Sequence, residues 1–460
     1  MDLKMVTSDN NRKVVYIAHA IDTEGPLYES LEAKFERIKE LFRIEHIEET
    51  KSNFQKLQNG EIPLEGQERN IQEVINGHRV SYNDTWDKID NMMHRLMRPE
   101  FRMKYPDSAR NGWVFSWHCM DHVGYDYNPR RRDIGYHNVF DYYRQWVDSR
   151  QSRDDLQWHF HPMSTYRDAH RCATSYFQND LIFQILSRKI IERNWFPSAY
   201  RAGFQTERPD SHWFLEQWIP FDITNMAVDD LTEFDKTIDF KNGRSGNWRR
   251  APSDWSIYQP DHDDYQRPGR CRRWIGRALN VMNRLCNINQ AEVDKAFARA
   301  QAEDGPVLMG LTGHDWRNLE TEVDHARELI NEASKKYPDV RFEYCTVADA
   351  FRRTIWSDGV QGDALELEIE LIPESDEDVT NILVRTKQGE VFGPQPFLAI
   401  ETMSRRFIHD NFDFTQQDGV WAYAFHTDTL PFDDVRRLSV AANDKYGNTS
   451  IVHLDIPKTR

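Results

Sequence analysis

The sequence predicts an α/β fold over residues 1–356 and an all-β sandwich over 364–460. Three observations lead there. Short apolar runs alternate with segments of helical periodicity up to about residue 356. That alternation implies a mostly parallel sheet covered by helices, open or closed into a barrel. Beyond Ser357-Asp358-Gly359 the apolar period drops to two. Finally, several strand-like runs end in ionisable residues, as parallel α/β folds do where they build a site.

The elements follow in chain order. Residues 13–21, KVVYIAHAI, are apolar and rich in β-branched residues, and Glu24-Gly25-Pro26 bounds them. They predict a buried strand ending at Asp22. Leu31, Phe35, Ile38, Leu41 and Phe42 have helical spacing and predict a helix over 29–48. Residues 50–110 are polar, with helical fragments near 67–76 and 84–97, and are expected as an insertion. Strands are predicted at 112–118, 155–160, 197–202, 306–312 and 340–345. Helices are predicted at 138–150, 178–194, 211–218, about 271–302, 320–336 and 346–355. A linker is expected at 357–363. In 364–372, Leu365, Leu367, Ile369 and Leu371 alternate with Glu366, Glu368 and Glu370, the pattern of a half-buried strand. Further strands near 380–386, 396–401, 419–426, 436–443 and 449–455 complete a sandwich.

Composition narrows the function. The net charge of −16 argues against nucleic acid or an anionic membrane as the main partner. The short basic runs at 130–132 and 270–273 are read as solvated or ion-paired. Five cysteines (Cys119, Cys172, Cys271, Cys286, Cys345) without a CxxC spacing make neither a disulfide framework nor a cysteine zinc site. The start MDLKMVTSDNNRK lacks an apolar core, and no stretch reaches the ~18 apolar residues of a membrane span. A soluble, cytoplasmic protein is the expectation. The 14 Trp and 18 Tyr suit sugar rings, and equally suit a core.

The chemistry-bearing residues gather at predicted strand ends: Asp22 and Glu24, His118, His159 and His161, and His314. Residues at i and i+2 of an extended segment point the same way, so each pair can aim two groups at one point. Two imidazoles and a carboxylate with one open position is a common catalytic zinc set. His118, Asp121 and His122 are candidates to line the same pocket. His262, within the acidic run at 261–264, marks a solvated loop or a lid. His19 is expected in the core.

Four segments in order, AHAIDTEGP (18–26), WHFHP (158–162), AYRAGFQTE (199–207) and LTGHDW (311–316), resemble the motif set of the polysaccharide deacetylases, the NodB-homology or carbohydrate esterase 4 group. The resemblance covers about 13–356 and implies an irregular (β/α) barrel of the NodB type. It implies Asp22 as catalytic base, and Glu24, His159 and His161 as ligands of a divalent metal ion, zinc first. It further implies Arg201 as the group that orients the base and His314 as the general acid. The family's first motif has adjacent aspartates, whereas Thr23 splits Asp22 from Glu24 here. Its histidines stand four apart, whereas His159 and His161 stand two apart before Pro162. This is similar to a divergent branch with DxE and HxHP motifs. The division of Asp22 and Glu24 between base and ligand is open at this point.

The activity this implies is metal-dependent removal of N-acetyl groups from an amino sugar, in a glycan or its cytoplasmic precursor. Another metal-dependent carbohydrate hydrolase on the same scaffold and a non-catalytic glycan binder are the alternatives. The C-terminal segment VAANDKYGNTS resembles the last hairpin of immunoglobulin-like or fibronectin-like modules and assigns no activity.

Overall fold

The structure is a computed structural model that describes residues 13–122, 126, 128, 131, 137–150, 152–162, 167, 175–177, 180–232, 245–283, 285–303, 305–356, 362–372 and 379–456. Among these, eight parallel strands form the first sheet: β1 Val14–Thr23, β2 Ser116–His122, β3 Asp155–His161, β4 Ala199–Ala202, β5 Phe221–Asn225, β6 Trp274–Asn280, β7 Pro306–His314 and β8 Arg341–Cys345. β1 to β7 run in chain order, and pairing of β1 with both β7 and β2 closes a seven-strand barrel. β8 shares one edge of β1 with β2. It pairs with Val14–Ala18 at the amino half, while β2 takes Ala20–Thr23.

Strand alternation sorts β1 into two faces. Val15, Ile17 and Ile21 face outward, into a core with Met92, Tyr143, Phe297 and Val323 of the surrounding helices. Val14, Tyr16, Ala18 and Ala20 face the lumen, with Ala199, Ile223, Ala278 and Leu308. A helix at Val347–Ile355 plugs the amino end, where Phe351 stacks on Phe221 with ring centroids 5.0 Å apart. Apolar side chains thus fill the lumen near its plugged end, and Ser116 and Thr312 stand in register with Ala20. The next inward residue on β1 is Asp22. His19 faces outward as expected of a core residue and accepts a hydrogen bond at Nδ1 from Trp113 Nε1 at 3.3 Å.

Helices α1 Leu31–Phe42, α2 Lys51–Asn59, α3 Glu68–Ile75, α4 Gly77–Val80, α5 Trp86–Leu96 and α6 Pro99–Arg102 fill the β1–β2 connection. Ser30, Thr50, Asn76 and Thr85 cap four of them with side-chain oxygens. Phe35, Ile38, Phe54, Leu57 and Ile71 give this insertion a small core of its own. Around the rest of the barrel lie α7 Asn138–Arg150, α8 Leu181–Arg193, α9 Pro209–Trp218, α10 Gln290–Glu303 and α11 Leu319–Lys336, and α12 Val347–Ile355 is the helix at its amino end.

Several expectations are corrected. The second strand lies at Ser116–His122, later than 112–118. The window 271–302 is not helical throughout, since it holds strand β6 before α10. β5 also lacks a sequence forecast. The linker lies largely outside the described residues, which resume at 362. Cys172 and two arginines of the 130–132 run are also outside them, whereas Cys119, Cys271, Cys286 and Cys345 form no disulfide among the described residues.

The C-terminal part holds two antiparallel four-stranded sheets. One joins β9 Glu366–Ile372, β10 Val379–Gln388, β13 Asp413–Phe414 and β14 Val420–His426; the other joins β11 Phe397–Thr402, β12 Phe407–Asp410, β15 Val435–Asn443 and β16 Thr449–Asp455. Leu367, Ile382, Leu398, Ile400, Trp421 and Leu438 pack between them. Leu371, expected on the buried face, is 40% exposed. The opposite face of β11 and β15 presents Phe397, Ala399 and Ala441 to α8 and α9 of the barrel. Among the described residues no helix is long and apolar enough to cross a membrane.

Candidate active site

The barrel's carboxyl end gathers all six residues forecast for the site. Asp22 is in register with His118 on β2 and with His314 on β7, and His159 on β3 is in register with Arg201 on β4. Neighbours in register on parallel strands point to the same side, so these groups share the lumen. All are buried.

Glu24, His159 and His161 converge as a group that could hold a metal ion. Their ligand atoms lie within 4.8 Å of one another. Glu24 Oε1 is 3.7 Å from His159 Nε2 and 3.4 Å from His161 Nε2, and the two Nε2 atoms are 2.9 Å apart. His159 Nδ1 lies 3.0 Å from the Arg201 carbonyl, which can only accept. The Nδ1 hydrogen is therefore spent on the backbone, and the Nε2 lone pair faces Glu24. Two nitrogens and one carboxylate oxygen, buried and converging, fit a zinc-like divalent ion. His161 is seated by Gly203, where a Cβ would come within 2.6 Å of the imidazole Cγ. Phe204, with a left-handed φ of 54°, packs edge-on against that ring at 5.0 Å.

Asp22 is held differently. Arg201 Nε donates to Asp22 Oδ2 at 2.9 Å and lies 2.8 Å from Oδ1, and Arg201 Nη1 donates to the Ile223 carbonyl at 3.0 Å. Burial by itself would raise the Asp22 pKa. Arg201 and the imidazoles of His159, His314 and His118 outweigh it, so the carboxyl stays below its ordinary value. His314 Nε2 is 3.8 Å from Asp22 Oδ2. Its ring leans on Trp316 with centroids 4.5 Å apart, and burial pushes its pKa down to about 4.

Of the remaining candidates, His118 does face the lumen, and burial pushes its pKa down to about 3. Its Nδ1 is 3.2 Å from the Ser116 carbonyl. His122 stacks on His161 with centroids 4.7 Å apart. Asp121 is not a pocket residue: it faces the helices, paired with Lys189 at 3.2 Å and accepting from Trp158 Nε1 at 2.9 Å. The loop around His262 is no lid over this site. Tyr258 bridges to Ile275 on β6, and Asp261 pairs with Arg267.

Two residues of the site escaped the sequence reading. Asp315 Oδ1 accepts from the Glu24 amide at 3.0 Å, and Oδ2 accepts from the Gly25 amide at 2.8 Å and from the Tyr143 hydroxyl at 2.9 Å. Burial pushes the Asp315 carboxyl up to about 8, but all three neighbours are donors and favour the acceptor-only carboxylate. Trp316 Nε1 donates to Glu24 Oε2 at 3.2 Å. Their sequence signal was their place beside His314 in the segment LTGHDW.

A second group, His212, His262 and Cys271, also brings possible ligand atoms within 4.8 Å. Arg273 Nη2 is 2.8 Å from His212 Nδ1 and can only donate. That consumes the one lone pair of the neutral ring, so Nε2 carries hydrogen and faces Cys271 Sγ at 3.7 Å. The group reads as a hydrogen-bond chain rather than a ligand set. No protein-family model matches the chain, and no curated protein matches it.

Proposed function

We propose that this protein is a metal-dependent carbohydrate deacetylase of the NodB, or carbohydrate esterase 4, type, hydrolysing an N-acetyl group on an amino sugar of a glycan or its precursor. One observation carries the reading. A convergent Glu24–His159–His161 set lies beside a carboxylate, Asp22, that is separately ion-paired to Arg201. Asp22 has Arg201 as its main partner and touches the set only at His159 Nδ1, 3.5 Å away, which supports reading it as the base rather than as a third oxygen on the metal.

Zinc or a similar ion, when bound, supplies polarisation of the acetamide carbonyl and a lowered pKa for the attacking water. The protein's own groups do the rest. Asp22, kept ionised by Arg201, takes the proton of the water as its oxygen adds to the carbonyl carbon. The carbon–nitrogen bond then breaks with its electron pair going to nitrogen. His314 is neutral at rest, because burial disfavours its charged form. It acts as acid only after the proton held by Asp22 reaches it, which requires the 3.8 Å gap from Asp22 Oδ2 to His314 Nε2 to shorten to hydrogen-bond distance, and it then passes that proton to the departing amine.

The test is acetate release from N-acetylglucosamine oligomers and from UDP-N-acetylglucosamine, with zinc removed by chelation and restored. Release that tracks the metal, and an Asp22→Asn variant that binds zinc without releasing acetate, is the expected result. Zinc-loaded protein that releases no acetate from either substrate class overturns the reading.

A further inference from the structure

We propose that Asp315 is a positioning residue that commits Glu24 to the metal and thereby leaves Asp22 as the base. This rests on the metal-dependent reading above and deepens it.

The problem Asp315 solves is local. Asp22 and Glu24 stand two apart at the end of one strand, so extended geometry alone sends both carboxylates the same way. Something has to separate them. Arg201 takes Asp22 from the β4 side at 2.8–2.9 Å. Asp315 takes Glu24 from the β7 side, and does so through the backbone. Its two oxygens span the successive amides of Glu24 and Gly25 at 3.0 and 2.8 Å. Its own amide donates to the Asp22 carbonyl at 3.3 Å, so one residue grips both ends of the 22–24 segment.

The clamp is itself anchored. The Tyr143 hydroxyl on α7 donates to Asp315 Oδ2 at 2.9 Å, and Asn83 Nδ2 donates to the Asp315 carbonyl at 2.9 Å. Asn83 also accepts from the Leu27 amide at 3.0 Å, which ties down the far end of the loop after Glu24. With the backbone so fixed, Trp316 Nε1 holds Glu24 Oε2 at 3.2 Å, and Oε1 turns toward the two imidazoles. Acid, clamp and indole are three consecutive residues, His314-Asp315-Trp316. Asp315 touches no reacting atom; it acts through the ligand, as outer partners of metal ligands do.

The experiment measures zinc affinity of the full chain by competition with a chromophoric chelator, for wild type, Asp315→Asn, Glu24→Gln and the double variant. Asn keeps the shape but turns an NH2 donor toward a backbone N–H. Asp315→Asn is expected to lose about 10–100-fold in affinity. The double variant is expected to bind no more weakly than Glu24→Gln alone, because the clamp has no other route to the metal. Asp315→Asn binding zinc like wild type, or losses that simply add, overturn the proposal while leaving the metal-dependent reading intact. Wild type that binds no zinc overturns both. If Asp315→Asn does not fold, Tyr143→Phe, which removes one anchor of the clamp, is expected to weaken zinc several-fold in the Glu24 background only; no loss overturns the proposal.

Discussion

Asp22 and Arg201 form a fully buried ion pair, and removing one partner of such a pair strands the other. Arg201→Met is therefore expected to cost about 3–5 kcal/mol of stability, read from denaturant unfolding. It also releases Asp22 from the charge that offsets burial, so the Asp22 pKa rises. The acid limb of the pH–rate profile should then move to higher pH, whereas a purely structural arginine would leave it in place. Gly203 offers a second residue-scale prediction. A methyl group there would come within 2.6 Å of His161 Cγ and 2.8 Å of the Phe160 carbonyl. Gly203→Ala is expected to turn the imidazole away and lower zinc affinity about tenfold or more, by chelator competition.

Among the elements, those with a local apolar period stand where the sequence places them. The helix forecast at 138–150 is α7 at Asn138–Arg150, and the strand at 155–160 is β3 at Asp155–His161. β5 and β6 stand where the sequence places no strand, and the reason is physical. Arg273 and Arg277 look like a solvated helix face, but both are buried. Arg273 pairs with Glu207 at 2.7 Å and also with Asp222, and Arg277 pairs with Glu292 at 2.6 Å. Those partners come from other elements, so the charge pattern conceals a strand. β12 likewise carries His409, which stacks on Phe397 with centroids 4.0 Å apart and on Phe183 at 4.9 Å, where sandwich meets barrel. Burial pushes its pKa down to about 4, with Asp410 pulling the other way. Between its ordinary value near 6.5 and about 4 the unfolded chain takes a proton that the folded seam refuses, so stability falls as pH drops through that window. His409→Phe is expected to flatten, though not abolish, the acid-side decline of the melting temperature.

Across the whole molecule, the sandwich is docked rather than tethered. Phe397, Ala399 and Ala441 share a core with Ile182, Ile185, Phe214 and Trp218. Asn443 Nδ2 donates to the Pro197 carbonyl at 2.7 Å and the Trp218 carbonyl at 2.9 Å, both in the barrel part. Asn443→Ala leaves two buried carbonyls short of a donor and is expected to cost about 1–3 kcal/mol, measured by thermal unfolding of the full chain. The order of residues along the chain makes legible the alternation of strands and helices, the change of period near residue 360, and which side chains stand at strand ends. Each of these is a matter of neighbours within a few positions. It also brought Asp22, Glu24, His159, His161, Arg201 and His314 forward as one set. What each carboxylate meets is visible only in the folded chain. Asp22 meets Arg201 across 179 positions, and Glu24 meets Asp315 across 291. No local pattern carries that information: hydrogen bonds act between atoms brought within about 3 Å, and closing the barrel is what brings them there.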